Sequence, residues 1–379
     1  MKKVMEKLMK MEDLSPEEIK GVIVGVKEER VTEAQIGGFL MGLLMKGPTA
    51  EEMAALVEAM LDLCPIAKAE GEGPLVDTCG TGGGLPTFNV STGAAIVAAA
   101  GGVAVAKYVG RSTASGCGSA DVLKALGVQT ELDPRQAQWL LERTGIAFCP
   151  TLLFHPVMAR TLGPGSPLDM GITPFTVVEV LINPLGPKRH ILGLSRDDMV
   201  RRTAEVLGLL GYEHALVVHG LDGYDELSLV GESHICEVRG GRLQEYIVAP
   251  EDLGMKRCRP EDLVGGSPRE NAETLEGVLS GRISGPKRDM LVLNAAGAFV
   301  VGGRASDLRE GAAMAEETIA SGRAMETLNR LIEESKRLKE ETGEWGRDQS
   351  PPLSPPFSAE AEVVPEVLSQ GISSFCWSS

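Results

Sequence analysis

The chain has 379 residues, 43% of them apolar and 24% charged, enough to bury a large core in two lobes. A net charge of −16 opposes general attraction to a nucleic-acid backbone, so a small anion would have to be held by backbone amides, a few cations or a metal. No apolar run reaches the roughly 18 residues of a membrane span, and the N-terminal MKKVMEKLMKMEDL has neither the apolar core nor the cleavage site of a signal peptide. Seven cysteines, an odd number without CxxC spacing, point to a reduced cytoplasmic protein without structural zinc.

Residues 1–70 read as a helical lobe. Three helix starts are marked, at Ser15–Glu18, Thr32–Gln35 and Thr49–Glu52. Each pairs a capping hydroxyl with an acid or amide three residues on. From residue 74 the texture becomes that of an α/β lobe extending to 335, with a mainly parallel central sheet. PLVDTCG is a strand entering a glycine turn, NVSTGAAIVAAAGG a helix of small residues, VAVAKYVG a strand and ADVLKALGV a helix. Part of 160–190 is assigned to the helical lobe. ALVVHGLDGYDEL is a strand running into an acidic loop, residues 226–250 are antiparallel hairpins turning at Gly240-Gly241, and LVLNAAGAFVVGG is a further helix. Residues 340–379, rich in Pro and Ser, read as a flexible tail.

Three clusters carry chemistry. Residues 77–92, DTCGTGGGLPTFNVST, put a strand, bare glycine backbone and a hydroxyl-rich helix start in sequence. That arrangement suits an anion, because the turn's N–H groups and the helix terminus both present positive charge. It matches neither a Walker A loop nor a dinucleotide fingerprint. The plainer reading is a glycine connection with a helix cap. Lys107 and Arg111 stand in a second segment rich in Ser and Gly, KYVGRSTASGCGSAD, which suits phosphate or is a solvated turn. Asp225 and Glu226 follow a strand, where adjacent acids hold magnesium or are simply hydrated.

Taken together, DTCGTGG, TFNVSTGAAIVAAAGGVAVAK, GSADVLKALGV, FHPVMAR, VVHGLDGYDELS, LNAAGAFVVGG and REGAAMAEETIASGRA resemble the anthranilate phosphoribosyltransferase family, in one colinear order from about residue 8 to 335. The resemblance implies the fold shared with pyrimidine nucleoside phosphorylases, with the active site in the cleft between the lobes. It implies a magnesium-dependent pentosyltransferase of tryptophan biosynthesis. That enzyme moves phosphoribosyl from phosphoribosyl pyrophosphate to the amine of anthranilate, as a homodimer joined through the helical lobes. By resemblance, Gly80, Gly83, Thr87, Asn89, Ser91 and Thr92 hold pyrophosphate. Lys107, Arg111, Ser112, Ser115 and Ser119 hold further phosphate or ribose oxygens, and Ser91, Asp225 and Glu226 hold magnesium.

The departures from the family lie mostly on the acceptor side. The family's GTGGD is GTGGG here, and its KHGNRS is Lys107-Tyr-Val-Gly-Arg-Ser112, so Tyr108 and Gly110 replace a His and an Asn. Residues 162–174 lack the family's acceptor-orienting Arg, for which Arg160, Lys188 or Arg189 are nearby substitutes. Tyr108, Gly110 and His155 are the acceptor-pocket candidates, with Phe175 a further apolar wall; no residue is assigned as a catalytic base. The alternatives are another aromatic or heteroaromatic nitrogen acceptor, a nucleoside phosphorylase of the same fold, or a non-catalytic binder of a ligand or of nucleic acid.

Overall fold

The structure, a computed structural model, describes residues 1–64, 73–110, 116–150, 155, 157 and 173–345. Four helices come first: α1 Lys2–Met9, α2 Pro16–Lys27, α3 Glu33–Lys46 and α4 Ala50–Leu61. All three marked starts form reciprocal capping boxes, at Ser15, Thr32 and Thr49. Glu52 does more than cap α4. Its buried carboxylate accepts from Leu14 N at 2.8 Å and pairs with Lys46 Nζ at 2.7 Å, fastening the loop before α2 to α3 and α4.

Seven strands follow: β1 Leu75–Gly80, β2 Ala104–Tyr108, β3 Ile146–Cys149, β4 Arg189–Gly193, β5 His214–Gly220, β6 Ser233–Arg239 and β7 Arg242–Val248. They form one sheet in the order β3-β2-β1-β4-β5-β6-β7. The first five strands are mutually parallel and the last two form an antiparallel hairpin turning at Gly240-Gly241. Between and after them lie α5 Val90–Ala100, α6 Ser119–Ala125, α7 Pro134–Thr144, α8 Pro174–Leu181, α9 Val200–Leu209, α10 Pro268–Leu279, α11 Pro286–Val301, α12 Leu308–Ala320 and α13 Arg323–Trp345.

Each face of the sheet feeds a different core, as the two-residue strand period requires. Along β5, Leu216 and Val218 pack with α5, α10, α11 and α12, whereas Ala215 and Val217 pack with α2–α4, α8 and α9. The helical bundle therefore sits on one face of the sheet and takes α8 and α9 into its own core. Strand order reverses at β1: β2 and β3 lie to one side, β4 and β5 to the other. Open α/β sheets bind ligands beyond the carboxyl ends of the strands at such a reversal.

Two boundaries differ from the sequence expectation. Residues 227–232 form a loop rather than a strand, because Ser228 turns back on Asp222 and Val230, and the hairpin starts only at Ser233. The last helix runs to Trp345, so the first residues of the expected 340–379 tail are helical; residues 346–379 lie outside the described part.

Candidate functional site

Gly80 ends β1 and pairs with Gly193, which ends β4, so the topological reversal is lined by bare backbone. The reason is a neighbour. The loop after β5 brings Asp225 across these strand ends. A Cβ on Gly80 would stand 2.6 Å from Asp225 Oδ2, and one on Gly193 would collide with the Asp225 carbonyl oxygen. Gly84 is likewise backed by Asp225 Oδ1. Part of the glycine content of residues 77–92 therefore makes room for a carboxylate. The Gly82 N–H donates to Asp225 Oδ2 at 2.9 Å, Leu85 N–H to Gly223 O at 3.1 Å, and Thr81 N–H to Gly193 O at 2.9 Å.

Thr78, Gly80, Ser91, Asp225, Glu226 and Asn294 line one cavity of about 20 Å³, room for a water molecule or a small ion. Thr87 Oγ1 donates to Glu226 Oε1 at 3.3 Å, but Glu226 Oε2 is sealed from solvent and has no partner. Burial pushes the Glu226 carboxyl up to about 8, with the adjacent Asp225 carboxylate adding to the rise. Asp225 is also raised, chiefly by burial. Two carboxylates withdrawn from water, with one oxygen orphaned, would be stabilised in their charged forms by a cation bound between them. Ser91, Asp225 and Glu226 offer hard oxygens only, the donor set magnesium takes. The residues fit that ion.

Asn294, on α11, holds the acidic pair from behind. Its Oδ1 accepts from Leu227 N and its Nδ2 donates to Leu227 O, both at 3.0 Å. Lys107 is buried beneath the site; Nζ donates to Thr78 O at 2.5 Å, and burial lowers its pKa. Thr92 is buried with an unpartnered hydroxyl, and Ser119 opens α6. The Asn89 carboxamide is engaged by other protein groups, described below. Arg111, Ser112 and Ser115 lie outside the described residues, as does the region 162–172 in which the acceptor-orienting Arg was sought.

The acceptor candidates are placed differently from expectation. Tyr108 is 5% exposed within the core shared with the helical bundle, and its hydroxyl donates to Glu179 Oε1 on α8. It is a core residue here rather than an open wall, because the β2 pleat turns it toward the bundle. Phe175 is buried in the same core. His155 is buried with Nε2 2.7 Å from Met60 O, and burial lowers its pKa. It ties the chain to the end of α4 instead of standing free. Gly110 lies over the Tyr108 hydroxyl, 2.9 Å from where its Cβ would be.

A second polar cluster was not visible in the sequence. Asp77, Cys79 and His190 bring ligand atoms within 4.8 Å of one another on β1 and β4. Asp77 already accepts from Tyr108 N at 3.0 Å and Asn183 Nδ2 at 2.9 Å, Cys79 Sγ lies 3.2 Å from His190 Nε2, and His190 Nδ1 has no partner. A ligating His normally anchors its second nitrogen. This is a core network linking β1, β2 and β4.

A helical bundle on an α/β sheet, with glycine-lined strand ends and a buried acidic pair at the reversal, is the architecture of the transferases to which this chain is similar. Residues 72–325 match the model of the glycosyl transferase family, a/b domain, and residues 2–64 its helical bundle domain. The chain is 42% identical over 334 residues to the anthranilate phosphoribosyltransferase of Methanococcoides burtonii, covering 88% of this chain and 94% of that one. It is 42% identical over 339 residues to that of Acetivibrio thermocellus, covering 88% and 96%. The crystal structure of the Thermus thermophilus enzyme superposes with a TM-score of 0.81 at 37% identity, over 88% of this chain and 99% of that one. The yeast enzyme in complex with PRPP (phosphoribosyl pyrophosphate) and Mg shares the fold, with a TM-score of 0.76 at 24% identity over 88% and 97%. The chain belongs to the glycosyl transferase family that contains the anthranilate phosphoribosyltransferases.

Proposed function

We propose that the protein transfers the phosphoribosyl group of phosphoribosyl pyrophosphate to the amine nitrogen of anthranilate, releasing pyrophosphate. The observation that carries the reading is the orphaned, buried Glu226 carboxylate beside Asp225 and Ser91, at strand ends that open onto a glycine loop. The relatives support it over nearly their full length, and the yeast structure holds the same donor with magnesium. In the transfer, nitrogen bonds to the anomeric carbon as the carbon–oxygen bond to pyrophosphate breaks, and the amine proton leaves to pyrophosphate or water. Positive charge gathers on the sugar and negative charge on the leaving group, so clamping and charge neutralisation supply most of the rate.

Magnesium held by Ser91, Asp225 and Glu226 would neutralise the departing pyrophosphate. Backbone amides of residues 82–84 and the N-terminus of α5 receive phosphate oxygens. The Gly82 amide now donated to Asp225 is one of these and must exchange partners as the donor enters. Lys107, with Arg111, Ser112, Ser115 and Ser119, completes the anionic side. We also assign a homodimer through the helical lobe, where Met9 and Met45 are 76% and 74% exposed, and a cytoplasmic setting. Among the described residues, no helix is long and apolar enough to cross a membrane.

The metal assignment is tested by Ser91→Ala and by the double change Asp225→Asn with Glu226→Gln. Removing ligands of a charge-neutralising ion costs about two to three orders of magnitude in kcat. Direct titration of Mn2+ by its electron paramagnetic signal gives an independent readout. Retained Mn2+ binding and turnover in both variants would remove the assignment.

A further inference from the structure

Asn89 is one of three non-glycine residues among those described with positive φ, at φ 65° and ψ 48°. It turns the glycine loop into α5, two residues before Ser91. A left-handed residue other than glycine persists only where its surroundings hold it. Asn89 does not cap its own helix. Its Nδ2 donates to Cys117 O at 3.1 Å, and its Oδ1 accepts from Asn271 Nδ2 at 2.8 Å and from the Cys117 thiol at 3.4 Å. Asn271, on α10 and 2% exposed, accepts the Gly266 N–H on its Oδ1 at 2.7 Å.

This relay has a single orientation. Gly266 N–H can only donate, so Asn271 must present oxygen to it and nitrogen to Asn89. Asn89 must then present oxygen to Asn271 and nitrogen to the Cys117 carbonyl, which can only accept. Two carboxamides are thus aligned by backbone groups of fixed polarity at either end. The turn at Gly265 fits against the same loop, for a Cβ there would strike Thr87 O.

We propose that Asn271 is a positioning residue for the donor site. Its buried carboxamide locks Asn89 in the left-handed conformation and joins the glycine loop, the turn at Gly116–Gly118 and the Gly265–Gly266 turn into one cradle. The glycine loop is assigned above to pyrophosphate and the turn at Gly116–Gly118 leads into Ser119, assigned to further phosphate or ribose oxygens, so the substrate side of the proposal rests on that reading. Among the described residues, no hydrogen bond of the relay reaches Tyr108, Gly110 or His155.

Asn271→Asp keeps the acceptor for Gly266 but turns an oxygen toward Asn89 Oδ1; Asn271→Ala removes both bonds. Hydrogen exchange on the ligand-free protein is the first readout. In both variants, peptides covering 83–92 and 116–125 should exchange about tenfold faster, as loss of a buried hydrogen bond implies. Peptides from α2–α4 should be unchanged. Asn89→Ala should give the same pattern, and adding Asn271→Ala to it should change nothing further in peptides 83–92 and 116–125. In turnover, KM for phosphoribosyl pyrophosphate should rise about tenfold for Asn271→Asp, while KM for the amine stays within about twofold. Unchanged exchange at 83–92, faster exchange throughout the molecule, or parallel rises in both KM values would overturn the proposal. If the wild-type protein does not turn over this donor, the functional reading fails and the exchange data still decide the relay.

Discussion

Glu179 carries its own pH signature. Its carboxyl is held above its ordinary range by burial, partly offset by the hydrogen bond from Tyr108. Between the ordinary carboxylate pKa and the raised one, the folded protein keeps a proton that the unfolded chain has released. Stability from this group is therefore full at acid pH, falls as pH rises through that window, and is level above it. Glu179→Gln removes the titration and keeps an acceptor for Tyr108. It should be more stable than wild type at pH 8, with the gap closing toward pH 4.5, as read by calorimetric melting; a gap independent of pH would contradict the assignment. At this scale the sequence was partly legible. Asp225 and Glu226 announce themselves as adjacent acids after a strand, whereas Glu179, Asn271 and Asn294 are single polar residues in helices. Each has a partner far away in the chain, Tyr108, Asn89 and Leu227 respectively, and no local pattern marks them.

The elements that build the site meet at very short range. Gly193 ends β4 against the Asp225 carbonyl, with no space for a methyl group. Gly193→Ala must push the 220–226 loop off the strand ends, so kcat should fall by about a hundredfold or more, since small misplacements of catalytic groups cost that much. Near wild-type turnover would mean that the loop is not held there. Glu52 plays a comparable part in the bundle. Glu52→Ala leaves Lys46, only 4% exposed at its side chain, without its buried partner and strips a cap from α4. Urea unfolding should show a loss of about 3–5 kcal/mol, as for other broken buried pairs. Thr32→Ala, at an exposed cap, should cost only about 1 kcal/mol. Equal losses would contradict the buried role of Glu52. The capping boxes were readable because each is complete within four residues. β4 was not read as a strand: RHILG is five residues long between loops, and its place at the centre of the sheet depends on pairing with β1 and β5.

For the whole molecule, alternation of strands and helices was enough to indicate a mainly parallel sheet, and the motif order was enough to indicate the family. The place of α8 with the bundle was foreseen in the assignment of part of 160–190 to the helical lobe, whereas the packing of α9 there was harder to see, since an apolar helix face does not name its partner. The site forms where the two halves of the sheet diverge, and the helical bundle packs on one face of that sheet. Groups from β1, α5 and the loop after β5 line it, with Lys107 of β2 bonded to Thr78 beneath, while Tyr108 and His155 are engaged in the packing of bundle against sheet. The most direct test of the account is a turnover assay. Purified full-length protein, magnesium and phosphoribosyl pyrophosphate are mixed with anthranilate, and loss of anthranilate fluorescence and release of pyrophosphate are followed together. A panel of other aromatic amines is run beside it. The account predicts stoichiometric loss of anthranilate and gain of pyrophosphate, abolished by chelation of the metal. Pyrophosphate release only with another amine would contradict the acceptor assignment, and no release with any amine would contradict the transferase reading itself.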